Sequence, residues 1–308
     1  MKRKALAFIL AAAMLLSFTA YAAHAAAPVI DKDREGNPIT LPESINTVVS
    51  IGPSINEILI GLGLADKIIA ADTYSYGVEG LDPALAIFDM MALDGERLIN
   101  LEPDVILVTS MTKVEGVDFL KSVTDAGICV AYIPNSNSIE SIMDDIRFIA
   151  AVMGVAEKGD EVIGGMEAEI TAISAIGETI AEKKKVYFEI GSPPYLYSFG
   201  TGVFLNEMIE LVGAENILAD INSWVQISEE AVVDANPDVI LTNVAYNYYP
   251  ADPAAEVEDI KARPGWGALT AVQNNDVHYI DTDSSSQPTH KIIIALKEMA
   301  KAIYPDKY

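Results

Sequence analysis

The sequence predicts an α/β protein: two similar lobes with central, mainly parallel sheets, joined by one long linker helix. Three observations lead there. Short, nearly continuous apolar runs alternate with longer stretches of helical periodicity, the pattern of parallel sheets covered on both faces. Glu96 lies seven residues before the proline of Pro103-Asp104-Val105-Ile106-Leu107, and Glu230 stands in the same relation to Pro237-Asp238-Val239-Ile240-Leu241. A junction of short helix, proline, aspartate and buried strand thus recurs in the second half. Between the halves, Ile163, Met166, Ile170 and Ile173 fall at spacings of three and four, the stripe of an amphipathic helix. The length of 308 residues suits two domains of about 150 residues each.

The elements follow in order. Lys2, Arg3 and Lys4, an apolar stretch over 5–22 and the small-residue site Ala23-His24-Ala25 mark residues 1–25 as a signal peptide expected to be cleaved. No cysteine lies near that point, so the exported chain is expected to be periplasmic or extracellular and not lipidated. Residues 26–155 form the expected N-terminal lobe. Asp33-Arg34-Glu35-Gly36-Asn37-Pro38 punctuates a small hairpin, and strands are expected at 47–51, 68–71, 105–108 and 129–133. Asn56-Glu57-Ile58 belongs to a helix ended by Gly61 and Gly63, and Asn206-Glu207-Met208 to one ended by Gly213, a second likeness between the halves. The linker helix is assigned to 156–182. Gly159, Gly164, Gly165 and Gly177 each weaken it by up to ~1 kcal/mol against alanine, which leaves open a break near Gly164. The C-terminal lobe, 183–308, carries expected strands at 186–190, 239–242 and 277–280.

Composition narrows the chemistry. With 20 basic against 45 acidic side chains the formal charge is −25, which repels nucleic-acid phosphates and anionic lipid headgroups, so no nucleic-acid partner is expected. The single cysteine, Cys129, excludes an intramolecular disulfide, and His24, His278 and His290 do not make a histidine-rich zinc site. No metal site, catalytic residue or resident cofactor is assigned. Nucleotide-binding loops, His-Glu-x-x-His and Gly-x-Ser-x-Gly are all missing.

Two sets of residues remain. Glu96 and Glu230 sit in the first turns of helices capped by Asp94 and Ser228, where the helix dipole favours an acid by ~0.3 to 1 kcal/mol without any function. On spacing alone they read equally as caps and as paired functional acids; a secreted hydrolase using the two as its carboxylates is the alternative, and their equivalent positions in the two lobes count against it. Aromatic residues gather where strands end, as ligand sites in open α/β sheets require. The candidates for ligand binding are Tyr74, Tyr195, Tyr197, Trp224 and Tyr246, among neighbours Tyr76, Phe199, Tyr248 and Tyr249. Tyrosine and tryptophan offer a flat apolar face with a polar tip, suited to a large planar ligand, although about half of such tyrosines are expected to serve packing or surface instead. Trp266 is read as packing at a turn, and His290 as a solvated residue at the start of the last helix.

The order Asp33-x-x-Gly36-x-x-Ile39-x-Leu41-Pro42, the run Val48-Val49-Ser50-Ile51-Gly52-Pro53-Ser54-Ile55-Asn56-Glu57-Ile58-Leu59, Glu96 ahead of Pro103-Asp104-Val105, and Pro264-Gly265-Trp266 resembles the periplasmic binding proteins of ABC importers for iron-siderophores, heme and cobalamin. The resemblance implies a ligand cleft between the two lobes and no enzymatic activity. It implies a metal chelate as transported ligand, and a permease dimer with its ATPase as partner. Glu96 and Glu230 stand where that family places glutamates that dock on permease arginines. Tyr74 in Asp72-Thr73-Tyr74-Ser75 and Trp224 in Ser223-Trp224-Val225-Gln226 look similar to cobalamin binders, and Tyr195 and Tyr197 match the aromatic stretch of the second lobe. The second lobe carries a single arginine, Arg263, and Gln287 occupies a stretch where the family often has an arginine. A highly anionic ferric complex would therefore lack partners. A neutral corrinoid, a heme or a weakly charged ferric chelate is expected.

Overall fold

Runs of branched apolar residues with no polar break must be covered on both faces, and here they form two parallel sheets. The structure, a computed structural model, describes residues 30–113, 119–245 and 252–308. In the first lobe β1 (Val48–Ile51), β2 (Ile68–Asp72), β3 (Ala86–Phe88), β4 (Val105–Thr109) and β5 (Cys129–Ile133) lie in the order β3-β2-β1-β4-β5, all pairs parallel. α1 (Pro53–Gly61), α2 (Gly95–Ile99), α3 (Lys121–Asp125) and α4 (Ile139–Val152) connect and cover them. Ahead of β1, Lys32 bridges Pro38 across the expected hairpin, whose turn is held by the Asp33 carboxylate accepting from the amides of Glu35 and Asn37.

The second lobe repeats the plan. β6 (Lys185–Glu189), β8 (Glu215–Asn216), β10 (Val239–Thr242) and β11 (Val277–Tyr279) lie in the order β11-β10-β6-β8, again parallel. β7 (Tyr197–Phe199) and β9 (Trp224–Gln226) form a separate antiparallel pair. The helices are α6 (Phe204–Leu211), α7 (Glu229–Ala235), α8 (Pro253–Ala262), α9 (Thr270–Gln273), α10 (Thr282–Ser286) and α11 (Ile292–Ile303). β3, β7, β8 and β9 were not expected from the sequence; at two or three residues each they are too short to show a period.

The recurring Pro-Asp junction has the same job in both lobes. Asp104 accepts from the amides of Asn46 and Thr47 at 2.7 and 2.9 Å, stapling the start of β4 to β1, and Asp238 accepts from Lys185 at 2.8 Å, stapling β10 to β6. In each, the residue before the proline, Glu102 or Asn236, turns the chain through a left-handed conformation (φ 49° and 46°).

α5 (Ala156–Gly177) runs between the lobes without a break at Gly164, about 33 Å at 1.5 Å per residue, and stops five residues short of the expected 182. Two of its glycines are contact points. A Cβ at Gly159 would fall 2.5 Å from Ala150 Cβ of α4, and one at Gly177 would fall 2.2 Å from the Leu211 carbonyl oxygen at the end of α6. Gly164 and Gly165 meet nothing. The last residues of the chain close over this end: the Tyr308 hydroxyl shares its one proton between the carbonyls of Val212 and Ile173, at 2.9 and 3.2 Å, and Tyr304 donates to that of Gly213.

The lobes also hold each other through two acids from the Asn-Glu repeat. Glu57, buried in α1, accepts from the Thr289 hydroxyl at 3.0 Å and pairs with Lys291 at 3.3 Å. Glu207, in α6, accepts from the amide of Ile139 at the start of α4 at 2.9 Å. Beside Glu57, the His290 ring lies against Gly61, where a Cβ would come within 2.4 Å of it. That packing, which lowers the His290 pKa by burial, corrects the reading of His290 as a solvated residue.

Two stability predictions follow from these contacts. Gly177→Ala should destabilise by ~1 to 3 kcal/mol in denaturant unfolding, because backbone has to move, whereas Gly164→Ala should gain up to ~1 kcal/mol of helix propensity. Equal effects at both sites would deny Gly177 its role as a contact point. Burial raises the Glu57 carboxyl above its ordinary 4.5, with Lys291 and Thr289 offsetting only part of the rise. A raised folded value means that this group's contribution is complete below the unfolded value and is lost as the pH climbs through the folded one. Glu57→Gln cannot titrate, so its melting temperature should gain on the wild type as the pH is raised from 4.5 to neutrality. A difference that stays constant or shrinks would contradict this.

Candidate functional site

Exposed large hydrophobic side chains are not scattered. Apart from Val233 and Ile294, those among the described residues fall in two groups: Tyr74 and Tyr76 after β2, Met91 after β3 and Met111 after β4 in the first lobe, and Tyr195 after β6 with Tyr197 and Trp224 on the β7–β9 pair in the second. The C-terminal end of a parallel sheet is where loops are free to shape a ligand site, and an apolar patch left in water there marks an interaction surface.

In the second lobe the aromatic residues meet. Ile190, Pro194, Tyr195, Tyr197 and Trp224 line one concavity of about 550 Å³. Its frame is the β7–β9 pair, in which Phe199 stands opposite Trp224. The fully buried Phe199 ring meets Phe188 edge-on at 5.6 Å and Trp224 at 5.9 Å, so the half-exposed indole rests on the core. Ser223 turns the chain into Trp224 through a left-handed conformation (φ 72°), a strain that non-glycine residues hold only where the surroundings demand it. Asn216 fixes the other strand, donating to the Phe199 carbonyl at 2.9 Å and to Asn206 Oδ1 at 3.0 Å.

In the first lobe Tyr74 stands 65% exposed on a single 3-10 turn, Thr73–Ser75, and does not line the concavity of the second lobe. The buried Asp72 carboxylate builds the turn. It accepts from the Tyr74 amide at 2.8 Å, the Ser75 hydroxyl at 2.6 Å and the Gly52 amide at 2.8 Å, and Asn56 of α1 donates to Ser75 from behind at 2.8 Å. Tyr246, together with Tyr248 and Tyr249, lies outside the described residues. Met91 and Met111 escaped the sequence reading, which looked for rings; the signal was a capping residue two positions before each, Asp89 and Thr109.

The cations near these strand ends are already committed. Arg263 is nearly buried and grips the Glu189 carboxylate at the end of β6 with two bonds of 2.6 Å, its guanidinium lying 4.6 Å over the Trp266 ring. Burial still raises the Glu189 carboxyl despite that partner. Lys113 pairs with Glu35, and Arg97 lies over the Phe88 ring at 4.4 Å. Trp266 is fully buried, its indole nitrogen donating to Glu229 at 3.1 Å. Among the described residues no group of three or more histidine, cysteine or acidic side chains is placed to hold a metal.

Glu96 and Glu230 are exposed in the first turns of α2 and α7, beside the N-caps Asp94 and Ser228, and neither makes an ion pair among the described residues. They stand on different lobes and share no described concavity, so the hydrolase built on the two of them has no support. A second and larger concavity, about 670 Å³ between α4, α5 and α6, includes Met143, Ile170 and Glu207 and touches no strand end.

Comparison with known proteins agrees with this architecture. A Bacillus subtilis ABC transporter substrate-binding lipoprotein, YvrC, itself uncharacterized, is 29% identical over 286 residues, 91% of this chain and 87% of its own length. A cobalamin-binding protein of Halobacterium salinarum is 25% identical over 90% of this chain and 74% of its own length. The crystal structure of a possible iron-binding, periplasmic solute-binding protein from Staphylococcus epidermidis superimposes with a TM-score of 0.72 at 28% identity, covering 85% of this chain and all of that one. The lipoprotein corrects one expectation. The chain was read as not lipidated because cysteine is absent near Ala25, and so close a relative named a lipoprotein overturns that reading. The absence of a thiol beside one cleavage site carries no general statement about how a chain is held at a surface. The periplasmic binding protein family matches residues 48–284, from β1 to α10, and this chain belongs to it: it is a binding protein and not an enzyme.

Proposed function

We propose that the chain presents a large, planar, neutral or weakly charged metal macrocycle to an ABC importer, with cobalamin the foremost ligand. The observation that carries this is the combination of an aromatic concavity at the strand ends with the locked Arg263–Glu189 pair. Flat rings are on offer to a ligand, while the arginine of the second lobe is already neutralised. The cobalamin-binding relative supports the same reading. Tyr74, Tyr195, Tyr197 and Trp224 are the ligand-facing residues, and Tyr246 is retained with them from its sequence position. The iron-binding description of the staphylococcal structure favours a second reading, a ferric chelate of low charge. In either case Glu96 and Glu230, one exposed acid per lobe, are the contacts to cationic residues on the two halves of the permease.

Titrating cyanocobalamin, hemin and a ferric hydroxamate while following Trp224 emission should give saturable quenching, strongest for cyanocobalamin. Tyr74→Ala and Trp224→Ala should each weaken binding by ~1 to 3 kcal/mol if each ring is a central anchor. Unchanged affinity in both would put the site elsewhere. Arg263→Ala separates a structural arginine from a ligand partner: stability should fall by ~3 to 5 kcal/mol, because Glu189 is left buried and unpaired. Loss of affinity at unchanged stability would instead make Arg263 a ligand contact. Replacing Glu96 and Glu230 together by alanine should spare affinity and melting temperature and sharply reduce uptake by the cognate importer. A collapse of ligand binding would assign them to the pocket.

A further inference from the structure

The first lobe uses one turn three times. At the end of β2, Asp72 Oδ1 accepts from the Tyr74 amide at 2.8 Å; just past β3, Asp89 Oδ1 accepts from the Met91 amide at 2.9 Å; at the end of β4, Thr109 Oγ1 accepts from the Met111 amide at 3.4 Å. Each is a polar side chain capping the amide two residues on, and each time the capped residue is large, apolar and exposed, by 65%, 48% and 57%. Met90, next to Met91, is 4% exposed in the core, so the turn separates a core methionine from a surface one.

The sheet order sets these three in a row. β3, β2, β1 and β4 are consecutive neighbours, so the side chains stand at the first, second and fourth strand ends. The third, the end of β1, continues into Gly52, which has no side chain, a φ of 142° and only 3.2 Å between a built Cβ and Thr109 Cβ. Three strand intervals at about 4.8 Å make a row of roughly 14 Å. No cation of the row stands open to a ligand: Lys113 is paired with Glu35, and the acids beside the row, buried Asp72 and exposed Asp89, accept from the backbone amides of the residues they present.

We infer that Met91, Tyr74 and Met111 form a platform on which the first lobe carries one face of a flat, macrocyclic tetrapyrrole, the tyrosine between a near thioether on the β3 side and a farther one on the β4 side. This deepens the ligand class proposed above and rests on it. A row of this length suits a macrocyclic ring and is wasted on a compact chelate or an oxyanion. Methionine suits it chemically: its thioether is polarizable, makes favourable contacts with π-systems and adapts to an irregular rim. The aromatic concavity of the second lobe supplies the rigid face, and the methionines supply the compliant one.

The test uses protein labelled with ¹³C at the methionine methyls, the two resonances assigned through Met91→Leu and Met111→Leu, with buried Met90 as an internal reference. Cyanocobalamin, protoporphyrin IX and a ferric trihydroxamate are added in turn. The expected result is that a macrocycle shifts both Met91 and Met111 methyls while Met90 stays still. The double variant Met91→Ala/Met111→Ala should bind that macrocycle about tenfold or more weakly at an unchanged melting temperature. Macrocycle binding with both methyls unmoved and the double variant unimpaired overturns the platform and leaves the ligand class standing. Saturable binding of the trihydroxamate alone overturns it as well. Failure of all three compounds to quench Trp224 removes the ligand class and the platform with it.

Discussion

The arrangement of the molecule depends on two carboxylates that cross from one lobe to the other. Glu57 leaves the first lobe to meet Thr289 and Lys291, and Glu207 leaves the second to meet the first amide of α4. Neither is a simple surface ion pair. Glu57 is buried, and a charge there is tolerable only because a hydroxyl and an ammonium face it. Glu207 sits at the N-terminus of a helix of fourteen residues, where amides left without a partner and the helix dipole both favour an anion. Burial raises both carboxyls, and at Glu207 the neighbouring acids Glu210 and Glu140 add to the rise.

The residue before each of these acids works in the opposite direction. Asn56 donates to Ser75 within the turn that carries Tyr74, and Asn206 accepts from Asn216, which in turn holds the Phe199 carbonyl beneath Trp224. One dipeptide, repeated in both lobes, therefore ties the strand-end loops of its own lobe to the seam with the other. Because Asn56 and Glu57 are adjacent on α1, and Asn206 and Glu207 on α6, the rings at the strand ends are tied to the joint and not merely to their local loops.

Much of this was legible in the sequence, and what was not has identifiable reasons. Strands such as Val105–Thr109 and Val239–Thr242 are buried on both faces, so composition alone betrays them, and the Pro-Asp junctions advertise the repeat because the aspartate has to reach the adjacent strand. The Asn-Glu likeness was visible too, yet its purpose was not: the bond from Thr289 to Glu57 spans 232 positions, a distance no local pattern encodes. The hairpin beneath Trp224 is built from three-residue strands. The methionines were missed because an exposed Met91 and a buried Met90 are neighbours of identical chemistry, told apart only by a turn. Arg263 was noted for its rarity, while its commitment to Glu189 required the fold to bring positions 74 apart into register.

A strut pinned at both ends by glycine contacts, with two acids clasped across the seam, leaves the halves little room to part or swing. Fitting a ligand then falls to the strand-end loops and their side chains more than to movement of one half against the other.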